Sequence, residues 1–162
     1  VSPVYKGIRE QLEVLGYDIA TTLISTERVP APTRVREHLN LPAGAEVIAV
    51  IRLRTVDGKP LSVHRSFVPA SLAPGLDQLD VVNEQLCVVL EDKFNLSMKS
   101  VSEDLEVIVA EGTDAKLLEL RKGDPALLLT DVITNPAGTA FEYSTIVFRG
   151  DTVRLKFDYK RE

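Results

Sequence analysis

The chain has 162 residues, of which 44% are hydrophobic and 27% are charged, and its formal net charge at pH 7 is −5. This length suits one domain that buries roughly 70% of its unfolded surface, and the acidic balance argues against a nucleic-acid-binding surface, since such surfaces are basic. No apolar run reaches the roughly 18 residues of a membrane span, and one cysteine, Cys87, excludes an internal disulfide and a multi-cysteine metal site.

The first 15 residues predict a helix. Ser2 is a suitable N-cap, Pro3 suits the first turn, and apolar residues follow at helical spacing as far as Gly16. Because the chain begins at Val1 rather than at methionine, we expect it to be part of a longer protein. Residues 1–15 would then be a linker helix from an absent N-terminal domain, and residues 16–162 the domain that follows it.

Residues 21–32 form an extended segment that ends at a corner marked by prolines. The favoured interpretation is an edge strand. The alternative is a loop in which Ser25 and Thr26 offer hydroxyl and backbone N–H groups to an anion. A short helix with Thr33 as its cap follows.

Residues 46–69 predict a β-hairpin, because Asp57-Gly58 separates two apolar, β-branched runs. Alternate residues of a strand share a face, so Arg52 and Arg54 point the same way. On the partner strand, His64 and Ser66 are expected within their reach.

Two neighbouring guanidinium groups repel each other and are best explained by an anion that both bind. The alternative is a solvated face on which Arg52 and Arg54 pair with Asp104 or Glu106. For His64 two interpretations stay open, a donor to the anion or a histidine satisfied within the sheet.

The pattern of short helix, glycine and hairpin occurs twice along the chain. Gly44 and Gly123 are 79 positions apart, and Gly58 and Gly138 are 80 apart. We interpret this as a weak internal duplication within one domain, with ligand binding expected where the halves meet. The second hairpin, at about 126–149, carries Glu142 and Ser144 on one face, where the carboxylate would accept hydrogen bonds from a ligand or pair with the arginines.

The remaining segments complete an α+β domain with about six strands in a mainly antiparallel sheet and a few short helices. The other predicted elements are a helix capped by Asp80 with a buried, inert Cys87, a strand at 101–110, a helix capped by Thr113, and a last strand at 152–160. The sequence shows none of the phosphate-loop, dinucleotide, zinc-protease or nucleophile-elbow motifs. We therefore expect no metal and no cofactor.

Several motifs in order along the chain resemble one known family. They are G-Y-x-x-x-T-x-x-I near 16–24, V-P-A-P-x-x-V near 29–35, L-x-L-P-x-G near 39–44, I-R-L-R-x-x-D-G-x-P near 51–60, and G-x-x-x-E-Y-S with R-G-D at 138–151. Together they resemble the UTRA domain, the effector-binding half of HutC-type regulators in the GntR family of bacterial transcription factors. The resemblance covers nearly the whole chain from about residue 15.

The resemblance implies a chorismate-lyase-like α+β fold and a cytoplasmic homodimer. It also implies a small anionic effector, phosphorylated or carboxylated, and operator DNA bound only through an absent winged helix-turn-helix domain, with no membrane involvement. Arg52 and Arg54 match the paired arginines that hold the anion in this family, and Glu142 matches the acidic residue that contacts the polar end of the ligand.

Three positions depart from the family pattern. His64 stands where members that bind sugar phosphates tend to carry glutamate, Gln85 begins Gln-Leu-Cys where Ser-Leu-Tyr is common, and Phe148 replaces a tyrosine that often reaches the ligand. The resemblance therefore implies a carboxylate or a less hydroxylated effector rather than a sugar phosphate.

The sequence favours a ligand-sensing domain without catalytic activity. Effector binding would order the segment at 21–28 and shift the dimer or the linker helix. One alternative is a lyase on the same fold, with the arginines holding a small carboxylate and Glu142 as general acid or base. Another is a dimerisation module without a ligand.

Overall fold

The computed structural model describes residues 19–82 and 85–162, so the helix predicted within residues 1–15 lies outside the described part. The strands are β1 (Ile19–Pro30), β2 (Glu46–Val56), β3 (Lys59–Pro69), β4 (Ser100–Val109), β5 (Pro125–Thr134) and β6 (Ala140–Arg149). The α-helices are α1 (Thr33–His38), α2 (Leu86–Phe94) and α3 (Gly112–Leu117), with a 3₁₀ turn at Leu76–Gln78. None of the described helices has the length and apolar character to cross a bilayer.

The six strands form a single antiparallel sheet in the order β1-β2-β3-β6-β5-β4. This confirms the predicted α+β class and both predicted hairpins. Strand β1 lies at one edge of the sheet, so the edge-strand interpretation of residues 21–32 is confirmed and the loop alternative is wrong. Residues 21–28 belong to β1, so the expectation that a ligand orders a loop there does not apply to this structure.

The internal duplication is visible in the fold. Each half consists of a strand, a short helix and a hairpin, β1-α1-β2-β3 and β4-α3-β5-β6, and the halves meet where β3 pairs with β6. The helix ends repeat as well: the Leu41 amide donates to the Arg36 carbonyl at 2.9 Å, and the Leu120 amide donates to the Ala115 carbonyl at 2.8 Å. The two halves are thus related by a pseudo-twofold axis between β3 and β6.

The two hairpins turn by different means. Asp57 and Gly58 both have positive φ, 51° and 79°, as a two-residue turn matched to the strand twist requires. The longer second turn is held by the side chain of Asn135, whose Oδ1 accepts hydrogen bonds from the amides of Ala137 and Thr139. The extra residue of the second turn explains why the repeat spacing grows from 79 to 80.

Helices and a tail segment cover both faces of the sheet. One face carries α1 and α3. Val35 of α1 packs with Val47 of the sheet, and Leu118, which directly follows α3, packs with Val63. The opposite face carries α2 at one end and the C-terminal residues at the other. We define the α2 cluster as Ile48, Val50, Val68, Leu86, Val89, Leu90 and Ile133, and the tail cluster as Leu61, Leu129, Ile146, Phe148, Val153 and Leu155.

The strand predicted at 152–160 is absent, because residues 153–162 have no regular secondary structure. Both sides of the preceding strand, β6, are already occupied by β3 and β5, so the tail has no neighbouring edge to join. Val153 and Leu155 pack on the tail cluster, whereas Phe157 and Tyr159 are exposed. The alternating apolar residues therefore reflect an extended segment that packs on the sheet with one side only.

Three local predictions are also corrected. Cys87 is exposed, because α2 turns Leu86, Val89 and Leu90 toward the sheet and Cys87 lies off that stripe. Helix α1 begins at Thr33, with Pro32 as N-cap and no side-chain cap. Helix α3 begins at Gly112, one residue before the predicted cap.

Candidate functional site

A diagonal band of polar side chains crosses the sheet face that carries α2. Strand register sets it: Arg54 lies opposite Ser62, Arg52 opposite His64, and Ser66 opposite Ser144. The next strands extend the band, since Ser144 lies opposite Asp131 and Asp131 opposite Glu103. With Glu142, two residues before Ser144 on the same face, we define the polar band as Arg52, Arg54, Ser62, His64, Ser66, Glu103, Asp131, Glu142 and Ser144.

The polar band separates the two apolar clusters of this face and is largely buried. Arg52 is 8% exposed, Glu142 is 2% exposed and Asp131 is 1% exposed. Burying a charged group is costly unless charge and hydrogen bonding compensate for the lost water. The charges of the band must therefore be compensated by interactions within the fold.

Hydroxyl groups connect the band across the junction of the two halves. The Ser144 hydroxyl donates to Glu142 Oε2 at 2.5 Å, and the hydroxyl oxygens of Ser66 and Ser144 are 3.2 Å apart. Because the single Ser144 proton is directed to Glu142, Ser66 is the donor in the second bond. On the other side of the band, Ser62 Oγ and His64 Nε2 lie 2.9 Å apart.

Phe148 stands at the border between the polar band and the tail cluster. Its ring is fully buried and meets the His64 imidazole edge to face, with centroids 6.3 Å apart. Phe148 therefore limits the movement of His64 on one side and presents a hydrocarbon surface to the polar band.

Charge is segregated along the polar band. Both arginines stand on β2, whereas the carboxylates Glu142, Asp131 and Glu103 stand on β6, β5 and β4. The hydroxyl and imidazole groups lie between them on β3 and β6. The band therefore has a cationic end in the first half of the duplicated fold and an anionic end in the second half.

The structure brings most of the predicted site residues together. Arg52, Arg54, His64, Glu142 and Ser144 belong to the polar band. Phe148 borders it.

The other three predicted site residues lie apart from the band. Thr26 pairs in register with Val50 at the β1 edge of the same face. Ser25 follows a bulge and pairs with Ile51, which packs on the opposite face. Gln85 is the exposed N-cap of α2, where its Oε1 lies 3.7 Å from Cys87 Sγ.

Sequence reasoning missed Ser62, Asp131 and Glu103. Asp131 was detectable, because it lies 79 positions after Arg52, the same separation as the repeated glycines. The pairing of the arginines with Asp104 or Glu106 on a solvated face is wrong. Both carboxylates are exposed and pair in register with Thr130 and Leu128, on the face away from the polar band.

Two surface clefts lie elsewhere on the domain. One is lined by residues 108–111 with Asp114 and Val147, and the other by residues 39–41 and 138–140 with neighbouring side chains. Neither includes a residue of the polar band. The described residues contain no group of three or more His, Cys, Asp or Glu side chains arranged to hold a metal.

The fold is that of the effector domains of bacterial transcription regulators. The effector domain of PhnF from Mycobacterium smegmatis superposes with a TM-score of 0.84 at 19% identity, covering 93% of this chain and 92% of that one. The C-terminal domain of the histidine utilization repressor from Pseudomonas syringae gives 0.82 at 18% identity, covering 89% of this chain and 100% of that one. At these identities the likeness establishes the fold.

The chain belongs to the UTRA domain family, whose sequence profile matches residues 15–154. It is 25% identical over 146 residues to the "Probable fructoselysine utilization operon transcriptional repressor" of Shigella flexneri, which covers 90% of this chain and 60% of that protein. It is 23% identical over 142 residues to the transcriptional repressor NagR of Bacillus subtilis, covering 88% and 58%. The chain thus spans about three fifths of the length of these curated relatives.

Proposed function

We propose that this chain is the effector-binding domain of a longer, cytoplasmic, HutC-type transcription regulator. A small anion binds at the cationic end of the polar band, between Arg52, Arg54 and His64. Operator DNA is bound by a separate N-terminal domain, through a linker at residues 1–15, and the regulator acts as a homodimer. The domain has no catalytic role: the relatives named above are transcription regulators, and none supports a lyase on this fold.

One observation carries the proposal most directly. Arg52 is nearly buried, shares its face with Arg54, and lies opposite His64, while apolar clusters flank the band on both sides. Guanidinium groups in a site of low dielectric bind carboxylate or phosphate more strongly than they do in water, because each hydrogen bond is charge-assisted and less screened. Such a site suits a small anion better than a protein or nucleic-acid surface.

Regulation follows if the anion prefers one arrangement of the domain over another. Because Arg52 is 8% exposed and the α2 and tail clusters lie on either side of the band, we expect a ligand that binds Arg52 to displace or reposition one of these coverings. Movement of either segment would alter the domain surface, and a dimer partner or a linked DNA-binding domain would sense the change.

The direct test is a thermal-denaturation screen of small anions. It would include inorganic phosphate, acetate, and straight-chain carboxylates. A ligand at 100 times its dissociation constant stabilises a domain by about 2.7 kcal/mol, which corresponds to roughly 5–10 °C for a domain of this size. We expect at least one anion to raise the melting temperature of the wild type in this way.

The matched variants are Arg52→Gln and Arg65→Gln. Arg65 is on the adjacent strand but on the opposite face, where it donates to Asp114 Oδ1 at 2.5 Å. Arg52→Gln should abolish the response to the anion, whereas Arg65→Gln should keep it, each compared with its own unliganded melting temperature. An identical response in wild type and Arg52→Gln would place the anion elsewhere.

A further inference from the structure

We propose that the C-terminal tail, residues 153–162, adds as a further strand to the edge strand β4 of a second copy of this chain. Each copy gives its tail and receives one, so the exchange closes in a symmetric pair. The inference rests on the homodimer of the proposed function, because it assigns the surface through which the two copies associate.

The tail has the pattern of a strand, and its own domain covers only part of it. Val153, Leu155, Phe157 and Tyr159 alternate with charged residues, as in a strand with one apolar face. Val153 and Leu155 pack on the tail cluster, whereas Phe157 is 47% exposed and Tyr159 is 76% exposed. The two exposed rings stack on each other with centroids 6.3 Å apart. The outer half of the tail therefore presents apolar surface that the described chain leaves open to solvent.

Strand β4 offers an edge that matches this apolar surface. It is the last strand of the sheet and pairs with β5 along one side, so its other side has no neighbouring strand in the described part of the chain. Val107 and Val109 are 75% and 59% exposed, and they share a face with Leu105, which joins the tail cluster. An edge strand with exposed apolar side chains favours the addition of a strand from another chain.

Charge on the opposite face of β4 agrees with the same partner. Asp104 and Glu106 are exposed there, and β4 contains no lysine or arginine. Three of the four tail residues that alternate with the apolar ones are basic, namely Arg154, Lys156 and Lys160. A tail strand beside β4 would therefore place apolar residues together on one face and opposite charges together on the other. Cross-strand pairs of both kinds stabilise a sheet.

The other edge of the sheet fits the tail less well. Strand β1 carries one acidic and one basic residue, Glu27 and Arg28, and Arg28 already pairs with Glu46 of β2 at 2.7 Å. Leu23 and Ile24 are exposed on β1, but the register shifts between Leu23 and Ser25, and such a bulge disrupts regular pairing. The basic tail is therefore expected to choose β4.

Disulfide trapping between two different copies tests the contact. In a Cys87→Ser background, which removes the exposed native thiol, one protein would carry Val107→Cys or Val109→Cys. A second, tagged protein would carry Phe157→Cys or Tyr159→Cys. Opposite residues of paired strands have Cβ atoms about 4.5–5.5 Å apart, close to disulfide geometry. We expect at least one of the four mixtures to give a linked species of the summed mass after mild oxidation.

Two controls identify the acceptor edge. Ile24→Cys on β1, in the same background, should give no mixed species with either tail cysteine. A single chain with both Val107→Cys and Tyr159→Cys tests whether the tail joins its own β4. An intrachain disulfide in this protein, with no mixed species in any of the four mixtures, would overturn the exchange.

Removal of residues 156–162 measures what the tail contributes to the dimer. This variant keeps Val153 and Leu155 on the tail cluster, so its domain should remain folded. We expect its dimer dissociation constant, measured by analytical ultracentrifugation, to rise at least tenfold. Lys156→Glu should weaken the dimer several-fold, and Glu106→Lys in the same protein should restore part of the loss. Lys59→Glu, at the first hairpin turn, is the control and should leave the dimer unchanged.

The outcomes separate this inference from the homodimer itself. A dimer that survives the removal of residues 156–162 and gives no species linking the tail to β4 would overturn the exchange, and the homodimer would stand. Trapping through Ile24→Cys instead would place the contact on β1 and also overturn it. A monomer at every concentration would overturn both proposals.

Discussion

Ser144 joins side chains from both halves of the domain at the centre of the polar band. Its hydroxyl donates to Glu142 and accepts from Ser66, and its register partner on β5 is Asp131. A hydroxyl rotates freely, so Ser144 is able to exchange one acceptor for another without moving its backbone. A ligand group arriving beside Glu142 would therefore change the bond to Ser66 across the junction.

Tyr143, on the opposite face from Ser144, gives a prediction that depends on pH. Burial raises the pKa of the Tyr143 phenol above its usual 10.0, and nearby Arg34 partly opposes this effect. The folded protein thus favours the neutral phenol, so this contribution to stability is complete below pH 10 and is lost as the pH rises through the raised pKa. We expect the unfolding free energy of the wild type to fall more steeply above pH 10 than that of Tyr143→Phe.

Chemical denaturation at several pH values between 8 and 11.5 would measure this difference. Tyr159 is exposed, so Tyr159→Phe serves as the control and should follow the wild type. Parallel curves for wild type and Tyr143→Phe would show that the phenol ionises without opposing the fold.

Helix α2 is the element that closes the α2 side of the polar band. It lies in the connection between the two halves and has no counterpart in the repeat, since it follows β3 and precedes β4. Its Leu86, Val89 and Leu90 join Ile48 and Val68 of the sheet in one cluster. The helix is nine residues long, too short to be stable without this packing. Displacement of α2 from the sheet is therefore expected to cost its helical structure as well as its buried surface.

A pair of α2 variants tests how strongly this covering is held. Leu90 is 0% exposed and Val88 is 41% exposed. Leu90→Ala should lower the unfolding free energy by about 2–5 kcal/mol through lost burial and a cavity, whereas Val88→Ala should cost less than about 1 kcal/mol. Urea denaturation would measure both, and equal effects would show that α2 is not seated on the sheet as described.

The whole sheet explains which predictions from the sequence succeeded. Local signals were sufficient for the hairpins, because Asp57-Gly58 and Asn135 dictate their own turns. Alternation was sufficient to place Arg52 with Arg54 and Glu142 with Ser144. It failed for residues 152–160, because whether an alternating segment becomes a strand depends on a free neighbouring edge, which the sequence does not show.

The polar band itself was only half predictable. Its cationic end lies within one hairpin, where register follows from the turn. Its anionic end depends on β3 meeting β6 and β5 meeting β4, which are pairings between distant segments. Asp131 lies in an otherwise apolar run, so periodicity does not show which face of the sheet its side chain occupies. Only the alignment of the two halves through their glycines places it on the face of Arg52.

The sheet edges bear on the proposed homodimer. Edge strand β1 exposes Leu23 and Ile24, and edge strand β4 exposes Val107, which is 75% exposed. Edges of this kind favour pairing with another chain. We expect light scattering after gel filtration to give a mass near twice 17.8 kDa at micromolar concentrations.

A lysine at either edge would locate the contact, because edge lysines oppose strand pairing. Ile24→Lys and Val107→Lys are the matched pair, and only the variant on the edge in contact should weaken the dimer. A 17.8 kDa species at every concentration would contradict the homodimer.

If the proposed effector spans the polar band, the opposite charges at equivalent places of the duplicated hairpins give its binding a direction. A symmetric dicarboxylate or a symmetric diamine, whichever way it is turned, sets one of its ends against a like charge. Exchanging the two residues, with Arg52→Asp and Asp131→Arg in one protein, would reverse this direction on an unchanged backbone. Recognition by this domain would then depend on the order of a molecule's two ends as well as on their chemistry.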